Sequence, residues 1–383
     1  MGLIRKRKNA VKRSSSRMIS RWFVLFWALS FWIKRALTGA RLTERPISPQ
    51  RILLAQHLLL GDTLMLVPLL ARLRERYPCA EIVMLCPPPF IPLMVGNPYQ
   101  VRVLAYDPRS LLTLQDLLHE RGFDWAILPV DARYSWLALA LHARWISTFA
   151  GDTPAYKNWP VNELVPVSTE PIAMGDMFAQ LCDQIPPCPH RAATWLVPKP
   201  RLPALPTRPY VVCHLGASTY LKHWAPESWQ RLALDLQAQG YDVIWSTGPG
   251  EGYLVQQVDP TQRFIAFAGT LTLAQLWHVI ASASLLVSPD TGVAHIAKIT
   301  ATPVVVLFGP GSALLCGAGA FWQQVPYYSV TAPIACRNQT INFKRTLSWV
   351  ARCERLPPAC VRARCMEKIA YQSVWQMTQS ALA

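Results

Sequence analysis

The stretch that decides the fold reads LLVSPDTGVAHIAKITATPVVVLFGP and covers residues 285–310. The apolar runs near its two ends have the length and composition of buried strands, and the residues between them leave room for a short helix. A strand, a helix and a second strand in this order indicate a parallel α/β sheet, because parallel strands need a crossover connection. Asp290, Thr291, Gly292 and His295 follow directly after the first strand, where open α/β sheets bind their ligands.

The same pattern extends upstream through the second half of the chain. Apolar runs and helical spacing predict strands at 210–215, 242–246 and 264–267, and helices at 226–239 and 272–283. Small residues with a polar group follow three of the strands, in the segments 216–222, 248–251 and 290–295. Small residues let backbone N–H groups approach a phosphate, and Lys222 would add a positive charge. The alternatives are that the Gly-Pro segments are only turns and that His295 is a structural residue.

Strand and helix patterns alternate in the first half as well. The predicted strands are 51–55, 81–86, 101–107 and 125–131, with helices after Gly61 and near 110–121. Asp62 follows Gly61 at the turn from the first strand into a helix, which is again a ligand-binding position in sheets of this class. The alternative is that Asp62 only caps the helix, a common role of aspartate.

Composition excludes two classes of protein. Of the 383 residues, 51% are hydrophobic and 16% are charged, which is too apolar for a disordered chain. No run approaches the ~18 uninterrupted apolar residues of a membrane-spanning helix, so a polytopic membrane protein is excluded. The net charge is +16, but residues 1–50 hold twelve Lys or Arg and one acidic residue, which leaves +5 for the body. The charge therefore describes an N-terminal arm rather than a nucleic-acid-binding body.

The N-terminal arm joins basic residues to a short apolar stretch. Eight Lys or Arg lie within residues 1–21, and the stretch Trp22–Ile33 follows with three tryptophans. As a helix this stretch is about 18 Å long, less than the ~30 Å hydrocarbon layer, so we expect it to lie at a membrane interface. The alternatives are a signal peptide, for which Thr38-Gly39-Ala40 is only a weak cleavage site, a short signal-anchor, and a helix that packs on the body.

Ten cysteines are spread over the chain, and we expect reduced thiols in the cytosol. Four of them lie near the C-terminus, at Cys336, Cys353, Cys360 and Cys365. Their spacing contains no CxxC pair and matches no metal pattern, so we expect free or structural thiols rather than a metal site.

In order and spacing, the motifs of the two halves resemble those of glycosyltransferase family 9, the heptosyltransferase-type enzymes. The resemblance covers roughly residues 51–380. The motifs that carry it are Leu60-Gly61-Asp62 with Pro68 and Tyr77-Pro78, Leu215-Gly216-Ala217-Ser218 with Lys222-His223-Trp224 and Pro226-Glu227, Gly248-Pro249-Gly250-Glu251, Gly269 with Leu273, Ser288-Pro289-Asp290-Thr291-Gly292 with His295, Leu307-Phe308-Gly309-Pro310, and 364–369 with Val374.

The resemblance implies a GT-B architecture, in which two Rossmann-like domains face each other across a cleft. It implies an inverting, metal-independent and cofactor-free transfer of heptose from ADP-heptose, or of a similar sugar from another nucleotide sugar, to an acceptor of the lipopolysaccharide-core type. Asp62 would be the general base. The donor-binding residues would be Ser218, Thr219, Lys222, Glu251, Leu271, Thr272, Asp290, Thr291, Gly292 and His295. The chemistry agrees, because inversion needs one base and a positive potential on the leaving diphosphate, and the sequence holds no Asp-x-Asp motif.

The resemblance and the prolines between Ile185 and Pro209 also divide the chain. We expect a basic arm with a short apolar helix at 1–45, an N-terminal Rossmann-like acceptor domain at 46–185, a Pro-rich linker at 186–209, a C-terminal Rossmann-like donor-nucleotide domain at 210–345, and a Cys-containing tail with a closing helix at 346–383. The expected partners are the nucleotide-sugar donor, a lipid-linked glycan acceptor and an anionic membrane surface contacted through residues 1–35, without nucleic acid. The expected location is cytoplasmic, peripheral on the inner face of the inner membrane.

One loop departs from the family pattern. Family members often have a basic residue and small hydroxyl residues before the Gly-Asp turn, whereas this chain has Gln56-His57-Leu58-Leu59-Leu60. Such an apolar loop is also compatible with a non-catalytic GT-B-like scaffold that binds a nucleotide sugar or a partner at the membrane surface. A nucleic-acid binder acting through residues 1–21 is a third alternative.

Overall fold

The structure is a computed structural model that describes residues 2–37, 44–191, 195–353 and 359–383, and for residues 2–17 only the helical backbone. The cleavage candidate at 38–40 and the basic side chains before Met18 lie outside the described residues.

The first half of the chain forms a parallel sheet whose strands are largely buried and joined by crossover connections. Its strands are β1 (Arg51–Leu54), β2 (Glu81–Cys86), β3 (Val101–Ala105), β4 (Trp125–Leu128), β5 (Trp145–Phe149) and β6 (Glu163–Val165). Its helices are α2 (Leu60–Leu64), α3 (Val67–Arg76), α4 (Ile91–Met94), α5 (Leu111–Leu118), α6 (Ser135–Ala140) and α7 (Met174–Ala179). The strand order is β3-β2-β1-β4-β5-β6, with every pair parallel.

The second half repeats this plan. Its strands are β7 (Tyr210–His214), β8 (Asp242–Thr247), β9 (Ile265–Ala268), β10 (Leu285–Pro289), β11 (Val304–Phe308) and β12 (Tyr327–Thr331). Its helices are α8 (Pro226–Ala238), α9 (Gly252–Val258), α10 (Leu273–Ala281), α11 (Gly292–Thr300), α12 (Ala313–Cys316), α13 (Arg364–Glu367) and α14 (Tyr371–Leu382). The order β12-β11-β10-β7-β8-β9 is again parallel throughout.

Both sheets have the strand order of a Rossmann fold, which reverses direction between the first and fourth strands of each half. Such a reversal opens a crevice at the carboxyl ends of the strands. In this chain the two crevices are bordered by the loops after β1 and β4 and by the loops after β7 and β10. The predicted α/β class is confirmed, and the topology places the Asp62 and Asp290 loops at the two crevices.

The predicted strands in both halves are present, with ends that differ by up to three residues. Three strands of the two six-stranded sheets were not predicted, namely β5, β6 and β12. The single helix expected after Gly61 is divided into α2 and α3 by a turn at Met65 and Leu66. The residues described between 185 and 209 contain no helix or strand.

Helix α1 (Gly2–Leu37) is far longer than the apolar stretch suggested. Its inner face packs on α5 and α6: Ala28 is buried, and the Phe31 ring stacks on His142 with 4.2 Å between centroids. The Arg121 guanidinium lies 4.1 Å from the Trp27 ring centroid. The helix therefore packs on the body, as one alternative proposed. No helix among the described residues has the length and apolarity needed to cross a membrane.

A hairpin from the second half reaches across to the first half. We call residues 337–353 the strap; it contains the short strands β13 (Ile341–Asn342) and β14 (Arg345–Thr346), which pair antiparallel. This segment was not predicted from the sequence. The chain then returns to the second half, where α14 packs against β10, β11 and β12.

Candidate active site

Asp62 lies in the first turn of α2, directly after the loop that follows β1. The residue at the N-cap of this helix is Leu59, and no side chain caps the helix. The Asp62 carboxylate accepts no hydrogen bond from the residues that the structure describes. The capping alternative is therefore wrong, and the carboxylate is left available for chemistry.

Two glycines let the halves of the protein approach each other at this point. A Cβ atom on Gly61 would lie 3.1 Å from His295 Cδ2 and 3.3 Å from the Gly292 Cα. A Cβ atom on Gly292 would lie 3.0 Å from the Gly61 nitrogen. All three distances are tighter than ordinary contacts, so larger residues at either position would push the halves apart. The approach places the first turn of α2 against the first turn of α11.

Lys222 and Asp290 form an ion pair on the second half's side of this contact. Lys222 Nζ donates to Asp290 Oδ2 at 3.0 Å and to the Asp290 carbonyl oxygen at 2.6 Å. Both side chains are mostly shielded from solvent. The pair connects the loop after β7 with the loop after β10, the two strands that flank the crevice of the second sheet.

The electrostatic surroundings raise the pKa of Asp62 from its ordinary value to about 6. Burial is the largest cause, because it disfavours the charged carboxylate. Lys222 and Arg352 lower this pKa, whereas Asp290 raises it. A carboxyl group with a pKa near 6 is ionised at neutral pH and is still basic enough to accept a proton, as general-base catalysis requires.

His295 lies beneath Gly61 on the first turns of α11 and is buried. Burial, with Lys298 and Lys222, lowers its pKa well below the ordinary value, so the imidazole is neutral. Its Nδ1 atom is buried without a hydrogen-bond partner among the described residues. The Thr291 side chain does not cap α11 and lies 3.3 Å from Ser288 Oγ. The N-terminus of this helix, which favours anions, therefore faces the crevice without a capping side chain.

Other predicted donor residues have structural partners. The Glu251 carboxylate accepts hydrogen bonds from the Ala217 and Gly248 backbone nitrogens, at 3.1 and 2.8 Å, and so ties together the loops after β7 and β8. Thr219 Oγ1 accepts from the Leu221 nitrogen at 3.3 Å, and Ser218 is exposed.

Leu271 and Thr272 lie at the start of α10. Thr272 forms a capping box with Gln275, and Leu271 packs against the core. Within the described ranges, neither residue makes a hydrogen bond or ion pair with Lys222 or Asp290. The structure thus brings Asp62, Lys222, Asp290, Gly292 and His295 together.

A cavity of about 530 Å³ opens beside Asp62. It is bordered by the apolar loop Gln56–Leu59, by residues after β4 and by the strap. Its charged and aromatic lining was not predicted from the sequence and includes Asp131, Arg133, Tyr134, Lys344 and Arg352. The position of Asp131 shortly after β4 was the available signal, since it mirrors the position of Asp62 after β1.

The unusual loop before Gly61 is held in place by hydrogen bonds of one of its own side chains. Gln56 is buried; its Nε2 donates to the Leu85 carbonyl oxygen at 2.6 Å, and its Oε1 accepts from the Leu58 nitrogen at 2.7 Å. The loop therefore borders the cavity without filling it.

The four C-terminal cysteines are not disulfide-bonded, and Cys365 is buried in the core of the second half. The described parts of the chain contain no group of three or more His, Cys, Asp or Glu side chains that could hold a metal ion.

The chain is similar in sequence to known proteins. Residues 178–340 match the model of glycosyltransferase family 9 (heptosyltransferase). Lipopolysaccharide heptosyltransferase 3 of Escherichia coli (strain K12) is 24% identical over 283 residues, which cover 65% of this chain and 79% of that protein.

Solved structures show the same architecture. A family 9 glycosyl transferase from Veillonella parvula has a TM-score of 0.68 at 17% identity, covering 89% of this chain and 99% of that one. The Escherichia coli heptosyltransferase WaaC with ADP has a TM-score of 0.65 at 16% identity, covering 86% of this chain and 99% of that one. The predicted GT-B architecture of two facing Rossmann-like domains is confirmed.

Proposed function

We propose, from the premise that the chain is a heptosyltransferase-like glycosyltransferase of family 9, that it transfers a heptose from ADP-heptose to a hydroxyl group of a lipopolysaccharide core. The observation that carries the proposal is the position of Asp62, which lies against α11 and is influenced by the Lys222–Asp290 pair of the other half. The donor is proposed by analogy with heptosyltransferase WaaC, whose structure was solved with ADP.

The reaction we propose is a single displacement. The acceptor oxygen forms a bond to the anomeric carbon while the bond from that carbon to the diphosphate oxygen breaks. Asp62 takes the hydroxyl proton, and ADP leaves with the electron pair. Because the base belongs to the first half and the diphosphate would lie on the second half, attack and departure occur on opposite faces of the sugar, which inverts the anomeric configuration.

Lys222 and the N-terminus of α11 would stabilise the leaving diphosphate without a metal ion. A lysine and a helix N-terminus both supply positive potential where negative charge develops. Asp290 holds the Lys222 ammonium in place through the 3.0 Å ion pair. Ser218, Thr219, Glu251, Leu271, Thr272, Thr291 and His295 remain proposed donor contacts, of which Glu251 acts by shaping the loops after β7 and β8.

The proposed donor specificity can be tested by thermal unfolding of the full chain with ADP, UDP, GDP, TDP and CDP. A ligand that binds only the native state at 100 times its dissociation constant stabilises it by about 2.7 kcal/mol. We expect a selective increase in Tm with ADP. A selective increase with another nucleotide would contradict the ADP-heptose assignment, and no increase with any of them would favour the non-catalytic scaffold.

We also propose that α1 attaches the protein to the inner face of the inner membrane. Its inner face is packed on the body, yet its outer face exposes an apolar stripe at helical spacing, with Trp22 73% and Phe26 68% accessible. Leu29, Trp32 and Ile33 continue the stripe. Tryptophan and basic residues on one helix favour the membrane interface, and a docked helix would present the acceptor cavity at a fixed orientation.

This attachment predicts a loss of vesicle binding when the stripe is made polar. The combined changes Trp22→Ser, Phe26→Ser and Trp32→Ser should abolish sedimentation with vesicles that contain phosphatidylglycerol, because they remove the exposed aromatic surface. The matched control is Trp159→Ser, which alters an equally exposed tryptophan outside α1. Unchanged sedimentation of the triple variant would contradict the proposal.

A further inference from the structure

The strap is anchored on the second half at both of its ends. The Arg337 guanidinium donates to the Gly309 carbonyl oxygen at 2.6 Å, and the Cys353 nitrogen donates to the Pro310 carbonyl oxygen at 2.8 Å. Both contacts lie in the turn that follows β11. The strap therefore leaves and rejoins the second half at the same turn. The residues between its two ends extend to the first half.

The tip of the strap is fixed on the first half through Arg345. This side chain is buried, and its guanidinium donates to the carbonyl oxygens of Val130, Phe149 and Ala150, at 2.7 Å and 2.9 Å for the first two. These oxygens lie at the carboxyl ends of β4 and β5, beside the cavity. A buried guanidinium shared among strand-end carbonyl groups holds the tip in one position.

The two residues of the turn are unusual for their conformation. Phe343 and Lys344 have φ angles of 45° and 68°, in the left-handed region that hairpin turns usually fill with Asn-Gly. Both side chains line the cavity. Lys344 Nζ lies 3.2 Å from Asp152 Oδ1 and 3.5 Å from Asp131 Oδ2, so its charge is compensated. Backbone strain that is retained at a cavity indicates a functional constraint on the side chains there.

Arg352 lies in the strap after β14 and differs from Lys344 in its contacts. It is half-buried and lines the same cavity as Asp62. Its guanidinium makes no hydrogen bond or ion pair with any residue in the described ranges. The neighbouring cation Arg133 has Asp131 as a partner at 3.4 Å. Among the residues described, Arg352 therefore lines the cavity without a hydrogen-bonded or ion-paired counter-ion, although its charge also lowers the pKa of the nearby Asp62. A partly desolvated guanidinium of this kind is stabilised by an anion.

We propose that Arg352 binds an anionic group of the acceptor, a phosphate or a carboxylate, next to the hydroxyl group that Asp62 deprotonates. This inference rests on the proposed transferase function. The guanidinium is planar and presents paired donors, which match the oxygens of either group. The strap would thereby give the second half, which we assign to the donor, a part in selecting the acceptor.

The test uses one core oligosaccharide in three forms: native, dephosphorylated with hydrofluoric acid, and carboxyl-reduced. The full chain is compared with Arg352→Gln, Arg352→Lys and the control Arg144→Gln, an arginine that is 57% exposed and precedes β5 at the opposite edge of the sheet. For the native acceptor, we expect Arg352→Gln to raise the acceptor KM about ten- to a hundredfold, from the loss of a charged hydrogen bond. The KM for ADP-heptose should stay unchanged, and Arg352→Lys should restore part of the loss.

The three acceptors separate a binding role from a structural one. The treatment that removes the recognised anion should make wild type as poor as Arg352→Gln, and so identifies phosphate or carboxylate. Equal losses on all three acceptors, or no loss on the native one, would overturn the inference while leaving the transferase intact. If wild type transfers heptose to none of them, the proposed function itself fails, and the inference fails with it.

Discussion

Changing Asp62 to Asn is expected to lower kcat for heptose transfer by about a hundred- to ten-thousandfold, the usual contribution of a general base. Asn keeps the shape of the side chain and removes the proton acceptor. Donor binding should persist, because the proposed diphosphate contacts belong to the second half. Folding should persist as well: burial disfavours the ionised Asp62 carboxylate, so the neutral amide is expected to leave the Tm unchanged or raised at pH 8.

The pH dependence gives this prediction a second readout. The active form of Asp62 is the carboxylate, and its pKa is raised to about 6, so kcat/KM of the wild type should decrease as the pH falls through that value. The residual activity of Asp62→Asn should lack this decrease at low pH, which is the acidic limb of the pH profile. Burial is the main cause of the raised pKa; of the neighbouring charges, Lys222 and Arg352 lower this pKa and Asp290 raises it. Full activity in Asp62→Asn, with Asp116→Asn on the exposed face of α5 as control, would show that the base is another group.

Changing Lys222 to Met is expected to reduce kcat/KM by about a hundred- to a thousandfold, comparable to the loss of a preorganised group that stabilises transition-state charge. The variant removes the ammonium group and leaves the Asp290 carboxylate without its 3.0 Å partner. The selective Tm increase with ADP should decrease in the same variant. Both losses follow because Lys222 would face the diphosphate in the ground state and in the transition state.

The same variant should also move the acidic limb. Lys222 lowers the pKa of Asp62 and Asp290 raises it, so removing Lys222 leaves only the opposing influence of that pair and shifts the limb to higher pH. Lys368→Met serves as the control, since Lys368 is an exposed lysine directly after α13. If the Lys222→Met enzyme has a normal kcat/KM and an unchanged acidic limb, Lys222 is not part of the active site.

The sequence predicted the fold well where strands are continuous apolar runs. It failed for β5, whose central Ser147 and Thr148 interrupt the run, although both hydroxyl groups are buried. Trp125 Nε1 donates to Ser147 Oγ at 2.8 Å, and Thr148 Oγ1 donates to the Leu128 carbonyl oxygen at 2.9 Å. Such partners come from neighbouring strands, and local sequence does not reveal them.

Distant partners also explain other features that local sequence does not reveal. Arg72 of α3 is buried although it is charged, because Asp183, more than a hundred positions along the chain, accepts hydrogen bonds from its guanidinium at 2.8 and 2.9 Å. The strap carries neither Asn nor Gly at its left-handed turn, so it lacks the signal by which hairpins are recognised. The contacts that hold it, through Arg345 to the ends of β4 and β5, exist only in the assembled protein.

For the candidate site, the sequence predicted which residues lie at the ends of strands. It did not predict which residues from other segments contact them. The Lys222 and Asp290 loops follow the two strands at the reversal of the second sheet, and the Asp62 loop follows a strand at the reversal of the first. The roles of Glu251 and Thr272 were less visible, because their side chains bind backbone nitrogens in the structure. Arg352 could not be found, since its approach to Asp62 depends on a segment that crosses between the halves.

The most direct test of the proposed function is to identify the product that the full chain forms from ADP-heptose and a lipopolysaccharide core. The acceptors are a series of cores in which each is one sugar shorter than the one before. Mass spectrometry reports whether one heptose is added, and NMR reports the configuration of the new anomeric centre. We predict a product with one added heptose on one of these cores, with the configuration inverted relative to the donor. A retained configuration would contradict the single-base mechanism through Asp62, and binding of ADP without any product would contradict the transferase.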